Sequence, residues 1–83
     1  MQFSILIPTW NNLEFLKCCV ESIRKNSVEQ HEILVYVNEG IDGSADWCKR
    51  ENLKFIQSEK NVGVCAALNS LFDLATNDII CYV

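Results

Sequence analysis

Glu32 to Trp47, EILVYVNEGIDGSADW, holds the change of texture that decides the fold. Ile33 to Val37 is apolar at every position, so both sides of an extended chain would face nonpolar surroundings, as in a parallel sheet covered by helices on both faces. The run then breaks into Asn38, Glu39 and a turn holding Gly40 and Gly43, where a glycine lets the backbone turn sharply. A short helix follows, expected from Ala45 to Glu51, with Ser44 as its cap and Trp47 and Cys48 turned inward. Strand, polar turn and helix in this order make half of a crossover unit.

The same alternation extends in both directions. Phe3 to Ile7, Leu53 to Ile56 and Ile79 to Val83 read as three further strands, short and rich in branched and aromatic residues. Between the first two strands, Leu13, Leu16, Val20 and Ile23 recur at helical spacing, Asn11 and Glu14 form a capping-box-like start, and Glu21 is placed to pair with Lys25. Between the last two, Val64, Ala67, Leu68, Leu71, Phe72 and Ala75 make an apolar stripe. Four strands and three helices in strict alternation predict an α/β fold with a doubly wound, mainly parallel sheet, because each right-handed crossover needs a helix to return the chain. In such sheets ligands bind outside the carboxyl ends of the strands, which directs attention to PTWNN, NEGIDGS and QSEKNVG.

Composition narrows the functions these loops could serve. The 83 residues carry a net charge of -4 and scattered Lys and Arg, which argues against a nucleic-acid or anionic-membrane surface. No run approaches the roughly 18 apolar residues of a membrane span, and the start lacks a secretory pattern, so the expected setting is cytoplasmic. Cys18, Cys19, Cys48, Cys65 and Cys81 include no CxxC pair. They read as small apolar residues in a reducing compartment, with a catalytic thiol as the competing reading. His31, at a strand edge, reads as solvated and without a chemical role.

The loops carry no GxGxxG and no GxxxxGK[ST], so neither common glycine-rich phosphate cradle is present. Thr9 and Trp10 end the first strand, and Asn11 or Asn12 opens the helix. Trp10 offers a flat face on which a nucleobase could stack, or else it covers the edge of the core. Asn38 and Glu39 could accept the imino proton of a pyrimidine, or else form an ordinary turn. Asn61 and Gly63, with Lys60 beside them, place backbone amides and the positive end of a helix where an anion could rest.

Together, SILIPTWNN, ILVYVNEGIDGSADW and NVGVCAALNSLFDLATNDIICYV resemble the nucleotide-binding half of a family 2 glycosyltransferase with the GT-A fold. In that pattern an apolar strand ends in PT[YW]N, an acidic or Asn turn ends in DG[ST], N-x-G opens an alanine-rich helix, and a last strand leads to a D-x-D. The resemblance covers essentially the whole chain and implies a Rossmann-like half domain, residues 1–83 being the N-terminal nucleotide-sugar-binding portion of one glycosyltransferase domain. It implies that Thr9 and Trp10 border the base, that Asn38 or Glu39 reads it, and that Asn61 to Gly63 lies near the nucleotide. Val37 and Asn38 stand where the pattern commonly has Asp.

The implied reaction transfers a sugar from a nucleotide-diphosphate donor, of the UDP-sugar type, to a hydroxyl of a glycan, lipid or protein acceptor, with inversion. A divalent cation, manganese or magnesium, would sit on the pyrophosphate. The D-x-D and catalytic base would follow Val83, so the chain is expected to be an inactive fragment with neither catalytic nor metal-binding residues of its own. Membrane association on the cytoplasmic side would come from missing parts. The alternatives are a non-catalytic nucleotide-binding module and a flavodoxin-like interaction module.

Overall fold

The computed structural model describes residues 3–26, 31–39, 42–77 and 80–82. Its elements are β1 (Ser4–Trp10), α1 (Leu13–Asn26), β2 (Glu32–Asn38), α2 (Ser44–Arg50), β3 (Lys54–Ser58), α3 (Val64–Leu74) and β4 (Ile80–Tyr82). All pairings are parallel and the strand order is β3-β2-β1-β4. The extended part of the sheet is β3-β2-β1. β4 adds three residues beside β1, from Ser4↔Ile80 to Leu6↔Tyr82. Of the segment expected as the last strand, Ile79 and Val83 lie outside the described residues.

Strand alternation sorts the core into two layers. Ile5, Ile7, Val35 and Val37 pack with Leu16 and Val20 of α1 and with Ala45, Trp47 and Cys48 of α2. Leu6, Leu34 and Tyr36 face the other way, onto Ala67 and Leu71 of α3. β1 and β2 are therefore apolar at consecutive positions because helices cover both of their sides. β3, at the edge, is less buried, with exposed Lys54 and Gln57 flanking half-buried Phe55 and Ile56.

Several boundaries differ from the sequence reading. β1 runs on through Pro8, Thr9 and Trp10, which stay in register against Tyr36, Val37 and Asn38. Ser44 is not the cap of α2 but its first residue, and it is fully buried. Its N–H and hydroxyl both donate to Asp42 Oδ1 (3.1 and 2.8 Å), while Gly43 takes the cap position at φ 88°, in the left-handed region glycine favours. α1 starts at Leu13, and Asn12 rather than Asn11 caps it, accepting from Phe15 N–H at 3.2 Å. The α3 stripe is only partly inward: Val64 and Phe72 are exposed. His31 is no bystander. Its Nδ1 accepts from Phe3 N–H at 3.0 Å, and its ring lies 5.0 Å from that of Phe3.

At the amino end of the sheet one carboxylate joins three strands to the chain beyond α3. Glu32 Oε1 accepts from Ser4 Oγ (2.8 Å) and Thr76 N–H (2.9 Å), and Oε2 accepts from Lys54 Nζ (2.8 Å) and Thr76 Oγ1 (2.9 Å). Ser4 Oγ in turn accepts from Asn77 N–H at 3.2 Å. Burial alone would raise the Glu32 carboxyl. The bonds from Lys54, Thr76 and Ser4 outweigh it and bring the group down from 4.5 to about 2.

A carboxyl depressed in the folded state stabilises the fold above its unfolded value, and that stabilisation disappears as pH falls through the folded one. We therefore expect stability, followed by urea denaturation, to decline between pH 4.5 and about 2. Glu32→Gln should be less stable at neutral pH and should lack most of that decline. An unchanged acid slope in the variant would show that Glu32 is not its source.

Candidate functional site

The polar loops gather at the carboxyl end of the sheet. β1 ends there with Thr9 and Trp10, β2 with Asn38 followed by Glu39, and β3 with Ser58, from which residues 59–63 lead into α3. Three backbone and side-chain ties lace these ends together. Glu39 N–H donates to Ser58 O (3.0 Å), Gln57 Nε2 to Glu39 O (3.2 Å), and Asn38 Nδ2 to Thr9 O (3.1 Å).

Each expected site residue has a definite place. Trp10 is 56% exposed and lies outside the core clusters, so it does not cover the core edge. By alternation it stands on the α3 side of the sheet, next in register to Asn38. Thr9, 4% exposed, faces the opposite side with Ile5 and Ile7, and its Oγ1 has no hydrogen-bond partner among the described residues. Asn38 is 3% exposed, and its side-chain oxygen accepts from Val62 N–H at 3.0 Å, so both ends of its amide are engaged within the protein. Glu39 is half-buried at φ 64° and accepts from Asn11 Nδ2 at 3.3 Å through Oε2. Oε1 has no partner among the described residues. Asn11 too has a positive φ, 48°. Two adjacent non-glycine residues in the left-handed region, joined side chain to side chain, are the local strain that functional loops often carry.

Asn61 and Gly63 are exposed on the loop before α3. The amides expected to be free there are partly taken: Gly63 N–H donates to Asn61 Oδ1 (2.9 Å) and Val62 N–H to Asn38. The α3 N-terminus itself has no side-chain cap and no acidic residue in its first turn. The sequence reading missed Ser58, Val62 and Asp42. Ser58 Oγ donates to Lys60 O, turning the loop, and Asp42 keeps one buried oxygen, Oδ2, without a partner. The DG[ST] pattern was a usable signal for Asp42, but Val62 contributes only its backbone, which no residue letter announces.

Among the described residues no three His, Cys, Asp or Glu side chains come together in a group that could hold a metal ion, so these residues do not by themselves fit a divalent cation. Two of the thiols, Cys19 and Cys48, do not suit nucleophilic work. Burial pushes Cys48 up to about 11, and burial with the neighbouring Cys18 raises Cys19. Cys18 and Cys65 are exposed rather than buried, and all four described cysteines are free. No helix among the described residues is long and apolar enough to cross a membrane.

A parallel sheet flanked by helices, with polar loops at the carboxyl ends of its strands, defines an α/β domain of the class in which ligands bind outside that edge. Residues 4–83 match the family model described as glycosyl transferase family 2, and the chain belongs to that family. It is similar to "Putative glycosyltransferase EpsH" of Bacillus subtilis (strain 168), with 24% identity over 84 residues covering 96% of this chain. The chain spans about a quarter (24%) of that relative's length.

The two tryptophans give a direct check on the site. Trp47 is buried against β1 and β2, and Trp47→Ala should cost about 3–5 kcal/mol of unfolding free energy, as large core truncations do. Trp10→Ala should stay within about 0.5 kcal/mol of the parent, as exposed positions do. Urea denaturation of both variants decides the matter, and a comparable loss for Trp10→Ala would return Trp10 to the core.

Proposed function

We propose that this chain supplies the nucleotide-binding part of a glycosyltransferase that moves a sugar from a nucleotide-diphosphate donor, of the uridine type, to an acceptor hydroxyl. The observation that carries the reading is the placement, at the ends of adjacent strands, of an exposed aromatic face, Trp10, and a carboxylate, Glu39, one oxygen of which has no partner among the described residues. A base stacked on Trp10 would present its edge toward the loop after β2, and a uracil N3–H is a donor that a carboxylate accepts. Family membership supports transfer of a sugar and a nucleotide-sugar donor.

Glu39 takes the base-reading role in this proposal because both polar ends of the Asn38 amide are already bonded. Thr9 borders the base through its backbone, and Asn61 with Gly63 flanks the nucleotide from the loop before α3. The reaction is inverting: the acceptor oxygen attacks the anomeric carbon as the bond to the diphosphate breaks, and a carboxylate outside this chain takes the acceptor proton. A divalent cation would take its ligands from outside the described residues and would supply charge to offset that of the diphosphate. On this reading the 83 residues are inactive alone. The free cysteines suit a reducing, cytoplasmic setting.

Isothermal titration with nucleoside diphosphates tests the reading. UDP should bind, and CDP, whose N3 is an acceptor facing the carboxylate, should bind more weakly. Glu39→Ala should lose roughly 1–3 kcal/mol of UDP binding and most of the preference over CDP. Equal binding of the two nucleotides by the parent chain, or an undiminished preference in the variant, would remove Glu39 from the base site.

A further inference from the structure

Loop 59–63 is held mostly by itself. Ser58 Oγ bonds Lys60 O and Gly63 N–H bonds Asn61 Oδ1, each spanning two residues. Among the described residues its one hydrogen bond to a distant part of the chain is Val62 N–H to Asn38 Oδ1, across 24 residues. The other end of the same amide donates to Thr9 O, 29 residues away in the opposite direction along the chain. A primary amide is suited to this position because it offers a donor and an acceptor in one plane, and here each meets the backbone group it needs. The side chain is almost wholly buried, its bond to Thr9 O is shielded from water, and that from Val62 N–H is partly shielded.

We propose that Asn38 is a positioning residue: by joining the Thr9 carbonyl to the Val62 amide it fixes the loop before α3 against the end of β1, and so sets the opening between Trp10 and that loop. The step from a fixed loop to ligand binding rests on the reading that this crevice takes a nucleotide. Asn38 itself need not touch the nucleotide. Its chemistry is specific to an amide. A carboxylate could still accept from Val62 N–H, but it would have no proton for Thr9 O and would set two oxygens face to face. An alanine would leave both backbone groups unpaired in a buried place, which is the costlier outcome.

The test combines amide hydrogen exchange by nuclear magnetic resonance with UDP titration, on the parent chain, Asn38→Asp and Asn38→Ala, each corrected for its folded fraction. In the parent, the Val62 amide should exchange about tenfold more slowly than those of Lys60 and Asn61. Asn38→Ala should abolish that protection, whereas Asn38→Asp should retain it. UDP dissociation constants should rise about fivefold or more in both variants, with Asn38→Ala the weaker binder. Unchanged Val62 exchange in Asn38→Ala would overturn the tie itself. Unchanged UDP affinity in both variants would overturn its role in binding. If Asn38→Ala does not fold, Asn38→Asp carries the test alone: retained Val62 protection with weakened UDP binding supports the proposal, and lost protection or parental affinity refutes it. If the parent binds no UDP, the proposed function falls, while the exchange measurement still decides whether Asn38 holds the loop.

Discussion

Seven residues of β1 lie in parallel register against seven of β2, from Ser4↔Glu32 to Trp10↔Asn38. Successive central pairs bury apolar side chains on alternate faces, so this one pairing founds both layers of the core. The helices are then committed in position, α1 and α2 to one face and α3 to the other. Polar residues are affordable only where the apolar pairs run out, at the two ends of β2. Glu32 stands at the first end and Asn38 at the last.

The two ends use different chemistry for related purposes. Glu32 gathers hydrogen atoms from Ser4, Lys54 and Thr76 onto a charged group close to solvent, and the result is sensitive to acid. Asn38 ties backbone to backbone through a neutral amide in a nearly dry position, where an unpaired charge would be expensive. A carboxylate suits the edge where donors are plentiful. An amide suits the place where one donor and one acceptor must be met together.

Much of the architecture was legible in the letters because burial on both faces leaves uninterrupted apolar runs, as at Ile33 to Val37. What was hidden involved groups whose identity says little about geometry. Pro8 and Thr9 look like a loop, yet β1 continues through them because β2 offers a matching register. Ser44 has the right chemistry for a cap, but Asp42 reaches it first. The polar residues at the strand ends could be picked out by letter, but their separate placements could not, since nothing in the letters N and E shows which of Asn38 and Glu39 points into the protein. Exposure places Trp10 outside the core, and hydrogen bonds engage both ends of the Asn38 amide. The outward-facing Val64 and Phe72 show that helical spacing fixes which residues share a face, while only packing fixes how wide that face is.

Glu39 and Asn11 adopt backbone conformations that side chains resist, each costing on the order of 1 kcal/mol or more. Both stand at the carboxyl end of the sheet, while a third such residue, Asn52 at φ 58°, leads into β3 at the amino end, which Glu32 cross-links. Adaptation can therefore act on the two ends separately. If the loops that follow β1 and β2 recognise the ligand as proposed, substitutions there would change recognition while drawing on a reserve of stability held elsewhere, and relaxing the strain at residue 39 would gain robustness by giving up the carboxylate's placement. Stability and recognition are in this sense inherited as different parts of the same strand.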